Sequence, residues 1–122
     1  MAISFEAIAE RYVTFLAGNT AAEGKLCKIT ANGTVGACAG GDDFCGVITQ
    51  VRNGAASVLM GGFVKLPYTG AAPALGFTAL VADGASGVRA PAAATETKPA
   101  ETGRSHLVVN VDTANKTVGL FL

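Results

Sequence analysis

Lys25-Leu-Cys-Lys-Ile-Thr-Ala-Asn-Gly-Thr-Val-Gly-Ala-Cys38 is the stretch on which the fold turns. Cys27 and Ile29 alternate with Lys28 and Thr30, the two-residue period of a strand with one buried face. Asn32-Gly33 follows, two residues that accept positive φ and so make a tight hairpin turn. Thr34 to Cys38 is the return strand. The same grammar recurs downstream. Phe44 to Arg52 reads as a strand with Cys45, Val47, Thr49 and Val51 on one face. Asn53-Gly54 is a second hairpin signal. Ser57 to Leu66 then reads as one strand, with Gly61-Gly62 marking a bulge or a close backbone approach. Phe77 to Ala82 ends at Asp83-Gly84, a third turn, and Val88 begins its return. Leu107 to Asp112 and Thr117 to Leu122 flank Thr113-Ala114-Asn115-Lys116. Upstream, Tyr12-Val-Thr-Phe-Leu is rich in β-branched and aromatic residues. Short strands at this spacing predict an all-β chain, a small β-barrel or β-sandwich of about eight short strands.

With 122 residues, the chain has the size of one domain. Residues 12–122 are read as that single β domain. Residues 1–11 differ and form an N-terminal leader or arm. Phe5, Ile8, Tyr12 and Phe15 or Leu16 recur at helical spacing, with Glu6, Glu10 and Arg11 between them, and Ser4 fits a cap. Ile3-Ser-Phe also reads as extended. Residues 90–104 are rich in Ala, Pro, Thr and Glu without a large apolar side chain, as expected of a mobile surface loop. There is also an internal echo. Gly24 to Gly33 and Gly76 to Gly84 each run from a Gly through a strand to an Asn-Gly or Asp-Gly turn, returning through Val35 or Val88. The echo fits two copies of a four-strand unit, and it equally fits chance recurrence of turn signals.

Composition excludes several classes. Nine basic and nine acidic residues leave no net charge, and no basic cluster is available to neutralise phosphates, so no nucleic-acid partner is expected. The 50% hydrophobic share argues against disorder. It includes 23 alanines, so the large core-formers are few and self-association would help to bury apolar strands. The longest uncharged stretch, Leu66 to Ala82, is broken by Pro67, Gly70, Pro73 and Gly76, so no membrane span is expected. No basic N-terminal region precedes an apolar run, so no export signal is expected.

No catalytic constellation stands out, and no enzymatic activity is expected. Cys27, Cys38 and Cys45 lack the close pairing of zinc ligands, and the single His106 is distant in sequence; buried, reduced thiols are the expectation, with no metal and no cofactor. His106 opens an apolar run and reads as a surface residue at a strand end. Asp42-Asp43 reads as a solvated turn, because the alternating ligands and closing Glu of a calcium loop are missing. Gly40-Gly41 and Gly61-Gly62 match no phosphate-binding pattern.

Several segments taken in order resemble a known family. These are Tyr12-Val-Thr-Phe-Leu-Ala-Gly, Ala22-Glu-Gly-Lys-Leu-Cys-Lys-Ile, Phe44-Cys-Gly-Val, Val58-Leu-Met-Gly-Gly-Phe-Val64, Leu107-Val-Val and Thr117-Val-Gly-Leu-Phe-Leu. Together they are similar to the small capsid decoration, or cement, proteins of tailed bacteriophages over roughly residues 12–122. The resemblance implies a non-enzymatic structural protein, made in the host bacterial cytoplasm and placed on the outer surface of the virion. Its partner would be the major capsid protein, and it would be a homo-oligomer, trimer or dimer. Ile3, Phe5, Ile8 and Tyr12 are the candidate capsid or subunit contacts. A carbohydrate- or ligand-binding β module of a phage tail or fibre is the alternative, with Phe63, Tyr68 and Phe77 as an aromatic platform. A small enzyme would need His106 beside a carboxylate.

Overall fold

Gly62 divides the chain. Its φ of 99° lies where only glycine is comfortable, and the backbone turns there from one sheet into another. A computed structural model describes residues 10–122. The first unit holds β1 (Arg11–Ala17), β2 (Leu26–Ala31), β3 (Thr34–Ala37), β4 (Gly46–Arg52) and β5 (Ala55–Gly61). The second holds β6 (Phe63–Pro67), β7 (Gly76–Ala82), β8 (Val88–Arg89), β9 (Arg104–Asp112) and β10 (Thr117–Phe121). There is no helix among the described residues. The all-β reading holds, with ten strands among the described residues in place of about eight. The strand read over Ser57 to Leu66 is two strands, because Gly62 interrupts it. The helical spacing that included Tyr12, Phe15 and Leu16 also fails there. These residues lie in β1, which pairs with β5 from Arg11 onward, one residue before the expected domain boundary.

β1 to β5 form a closed barrel in the order β1-β3-β2-β4-β5. β6 to β10 form a curled sheet in the order β6-β10-β9-β7-β8. These are one topology used twice. In each unit the first strand runs antiparallel to the fifth, and the second pairs with both the third and the fourth. The first strand also meets the third in parallel, through Ala17 and Val35 in one unit and the bridge between Tyr68 and Val88 in the other. The registers agree residue by residue. Thr14 opposite Ser57 corresponds to Lys65 opposite Gly119. The bulge that skips Thr49 between β4 and β5 recurs at Val109 between β9 and β10. The repeating unit thus has five strands, one more than the sequence echo indicated, because β6 was hidden at the end of a longer apolar run.

The bulge also corrects the predicted alternation over Phe44 to Arg52. Val47 and Ile48 are both buried although adjacent, and Thr49 is exposed. Val47 faces the second unit while Ile48 faces the barrel interior. Two cores result. Inside the barrel, Cys27, Val35, Ile48, Ala56 and Val58 pack together. Between the units, Leu26, Phe44 and Val47 of the first join Leu66, Leu80, Val88, Val108, Val118 and Leu120 of the second. Each large side chain buried in this way contributes about 1.5–3 kcal/mol, so the second sheet depends on the first for part of its core.

Candidate interaction surface

Paired residues on adjacent strands share a face, so the registers sort β1 into an inner and an outer side. Phe15 pairs with Ala56, and Ala56 with Val51, in a row that packs into the barrel. Three other rows point outward. Tyr12 lines up with Leu59 and Val47, Thr14 with Ser57 and Gln50, and Leu16 with Ala55 and Arg52. Leu59 and Val47 are buried, with Val47 packed in the core shared with the second unit. The other two rows remain open to solvent.

The open face is partly apolar. Leu16 is 60% exposed and Tyr12, at its margin, 53%. The Tyr12 hydroxyl donates to Glu10 Oε1 at 3.2 Å. Beside Leu16, a shallow cleft of about 240 Å³ is lined by Thr14, Gln50, Arg52, Ala55 and Ser57. Among the described residues, the ion pairs are Lys28 with Asp42 and Arg89 with Glu101, so the Arg52 charge is left unpaired on this face. Aromatic, aliphatic and arginine side chains on one face have the composition of a protein-binding patch.

The second unit makes a useful comparison. The positions matching Tyr12, Leu16 and Arg52 are Phe63, Pro67 and Asp112. Phe63 is buried, its ring edge-on to Phe121 at 5.7 Å. Pro67 and Thr117 replace the Leu16 and Ala55 pair. The same outer face therefore carries an exposed leucine and an unpaired arginine in one unit, and Pro67, Lys65 and Asp112 in the other.

Of the contact residues expected from sequence, Tyr12 lies at the margin of this surface. Ile3, Phe5 and Ile8 lie outside the described residues. The described chain enters β1 across an open groove of about 430 Å³ lined by Glu10, Arg11, Gly61, Gly62, Phe121 and Leu122. Leu16 and Arg52 were not singled out from sequence. Leu16 was marked there as an apolar residue only, and nothing local joins it to Arg52.

The aromatic platform of Phe63, Tyr68 and Phe77 is not formed. Phe63 and Tyr68 are core residues, and only Phe77, 79% exposed, faces solvent. Tyr68 is drawn inward by its parallel bridge to Val88.

His106 is also a correction. It is buried instead of lying at the surface, and its ring stacks on Phe44. No hydrogen-bond partner meets its Nε2 among the described residues. Burial pushes the imidazole pKa below its usual value; the Phe121 carbonyl favours the charged form, the Arg104 charge opposes it, and Asp43 favours it.

The coil over 90–103 is clamped at its base. Arg89 donates through Nη1 and Nη2 to the two carboxylate oxygens of Glu101, at 2.6 and 3.0 Å. The Ala92 amide donates to Glu101 Oε1 and the Glu101 amide to the Ala92 carbonyl. The Arg89 hydrogen bonds, with the Ala92 amide, hold the Glu101 carboxyl down to about 2. Underneath, Gly41 leaves room for the Glu101 carboxylate, where a Cβ would collide with it. Asp42, expected as a solvated turn residue, instead binds Lys28 and accepts from the Ala39 amide.

Cys27 and Cys38 are buried and Cys45 is partly exposed; all three are free thiols. Among the described residues, no group of three or more His, Cys, Asp or Glu side chains is placed to hold a metal ion. Compared with known proteins, the sequence matches no family model and no curated protein.

Proposed function

We propose that this protein is a non-enzymatic decoration protein that stabilises an icosahedral phage head by binding between major capsid subunits on the outer surface. The observation that carries the reading is the open outer face of the first unit, where exposed Leu16 and unpaired Arg52 flank Ala55 and exposed Tyr12 lies at the margin. The resemblance of the strand segments to decoration proteins supports the same reading. In this scheme the protein binds the expanded shell better than its precursor and shifts the equilibrium toward it by mass action. Many copies at symmetric sites make individually modest contacts collectively strong. The subunits associate as trimers or dimers, with the leader residues Ile3, Phe5 and Ile8 adding contact area.

Cryo-microscopy of phage heads with and without the protein tests this. Density at regular lattice positions, present only when the protein is added, is expected. Heads that bind no copies, or bind them at irregular positions, would exclude the proposal. Light scattering on the purified protein tests the oligomer, and a strict monomer at all concentrations contradicts that part.

A further inference from the structure

Two of the three thiols are neighbours although they lie 18 positions apart in sequence. Cys27 lies on β2 and is fully buried in the barrel core. Cys45 immediately precedes β4 and is partly exposed. The Cys45 amide donates to the Cys27 carbonyl at 2.8 Å, so the two residues are bonded across adjacent chains. Their Sγ atoms are 3.8 Å apart. Residues joined by such a backbone bond fall within the Cα separation that a disulfide spans, and the sulfurs have to close from 3.8 Å to about 2 Å. Cys38 stands apart. Its Sγ lies 3.9 Å from the Asp43 carbonyl, and it packs in the core between the units, with Leu26 and Phe44.

We propose that Cys27 and Cys45 form a redox modification site, at which a small-molecule disulfide such as oxidised glutathione converts the pair to an intramolecular disulfide that cross-links the first barrel. The Cys45 thiolate attacks one sulfur of glutathione disulfide. That S–S bond breaks, one glutathione thiolate leaves, and a mixed disulfide forms on Cys45. Cys27 then loses its proton to the departed thiolate and attacks Cys45 Sγ, expelling the second glutathione. Two protein thiols are oxidised, and one glutathione disulfide is reduced to two glutathione molecules.

The environment divides the roles. Cys45 is partly exposed, and its thiol is held below the usual thiol range, chiefly by the Cys27 hydrogen bond, with burial opposing and the Arg104 charge assisting. A partly exposed thiol with a lowered pKa is the attacking partner in exchange. Cys27 is pushed well up by its contact with Cys45 and by burial. Its Sγ also lies 3.5 Å from the Gly46 carbonyl, an alternative acceptor for its single S–H. It is the protonated thiol held next to the sulfur it must attack. The cross-link closes a loop that contains the Asn32-Gly33 turn, restricting the unfolded chain.

The test uses the full-length reduced protein incubated with oxidised glutathione. Intact mass without reductant is expected to fall by two hydrogen masses, with no glutathione retained. Trypsin combined with cleavage at Asp42 or Asp43 separates the three cysteines, and the bond is expected between the Cys27 and Cys45 peptides. The thermal midpoint is expected to rise on oxidation and return with reductant. Cys38→Ser is expected to keep the mass loss, and Cys45→Ser, a change at a partly exposed position, to abolish it. The peptide map of the unsubstituted protein keeps the proposal testable should a buried Cys27→Ser fail to fold. A glutathione that stays on Cys45, a bond that includes Cys38, an oxidised form no more heat-resistant than the reduced one, or an unchanged mass would each overturn it.

Discussion

Phe44 and His106 lie face to face, with ring centroids 4.8 Å apart and planes 7° from parallel. The first residue precedes β4 in the first unit and the second sits on β9 in the other. The registers place His106 where the first unit has Gly46, since each lies one residue before the matched pairs Val47–Leu59 and Leu107–Phe121. The repeat is thus broken at this position, and the break joins the two units. Phe44→Ala removes a fully packed ring from that joint, and such truncations cost about 3–5 kcal/mol. Urea unfolding followed by circular dichroism measures this. A loss below about 1 kcal/mol would mean that the stack contributes little to holding the units together.

The same joint sets a pH dependence. The folded pKa of His106 lies below the 6.5 of a free imidazole, with burial as the leading cause. The unfolded chain therefore binds the proton first as the pH falls. Stability is fully present above 6.5 and declines below it, until the folded pKa is passed and both states are protonated. A single proton limits the slope to about 1.4 kcal/mol per pH unit. The perturbed carboxyls of Asp42, Asp83, Glu101 and Asp112 are shifted downward and titrate at lower pH. His106→Phe keeps a ring against Phe44 and removes the titration. Chemical denaturation from pH 6.5 down to the carboxylate range is expected to show a declining stability in the natural protein and a flatter profile in the variant. Equal slopes would assign the dependence to another group.

What could be read from sequence was local, and what could not was a matter of register. Asn53-Gly54 announced its turn because both residues must take positive φ, and they do, at 51° and 77°. Gly62 was harder. The apolar run continues across it from Val58 to Val64, so nothing nearby separates a bulge from a change of sheet. His106 is a polar residue opening an apolar run, which reads as surface; its burial comes from Phe44, far away in the chain. Tyr68 lies in a stretch rich in Pro and Gly, and a parallel bridge to Val88 takes it inside. The outer face depends on the same kind of information. Leu16, Ala55 and Arg52 become neighbours only once two strand registers are fixed, and the pairing of Cys27 with Cys45 needs a third.

Gly46 is expected to be intolerant of any side chain. A Cβ there would lie 2.5 Å from the Leu59 carbonyl oxygen and 2.7 Å from Val58 Cγ1. The first is backbone of a paired strand and cannot move without disturbing β5. Gly46→Ala should therefore cost at least the 1–3 kcal/mol typical of overpacking, roughly. Gly54→Ala is the contrasting case. Its surroundings are open, and only the positive φ opposes a side chain, so a cost of about 1–2 kcal/mol is expected. Thermal and urea denaturation of the two variants compare crowding with strain. A Gly46→Ala protein as stable as the natural one would show that β4 and β5 can separate locally.

The outer face of the first barrel can be altered without touching either core. Leu16 is 60% exposed and Arg52 is exposed without an ion pair among the described residues. Leu16→Ser combined with Arg52→Glu should therefore change folding stability by no more than about 0.5 kcal/mol per site. If this face docks on capsid subunits, the same variant loses an apolar anchor and reverses a charge at the contact, and its affinity for heads should fall at least about tenfold, equivalent to roughly 1.4 kcal/mol. Lys65→Gln alters the matching face of the second unit and serves as the control, with binding expected to stay close to that of the natural protein. Co-sedimentation with heads lacking the protein reads the affinity, and circular dichroism confirms that each variant is folded. Undiminished binding by the folded double variant would remove this face from the contact and transfer the docking role to another surface of the protein.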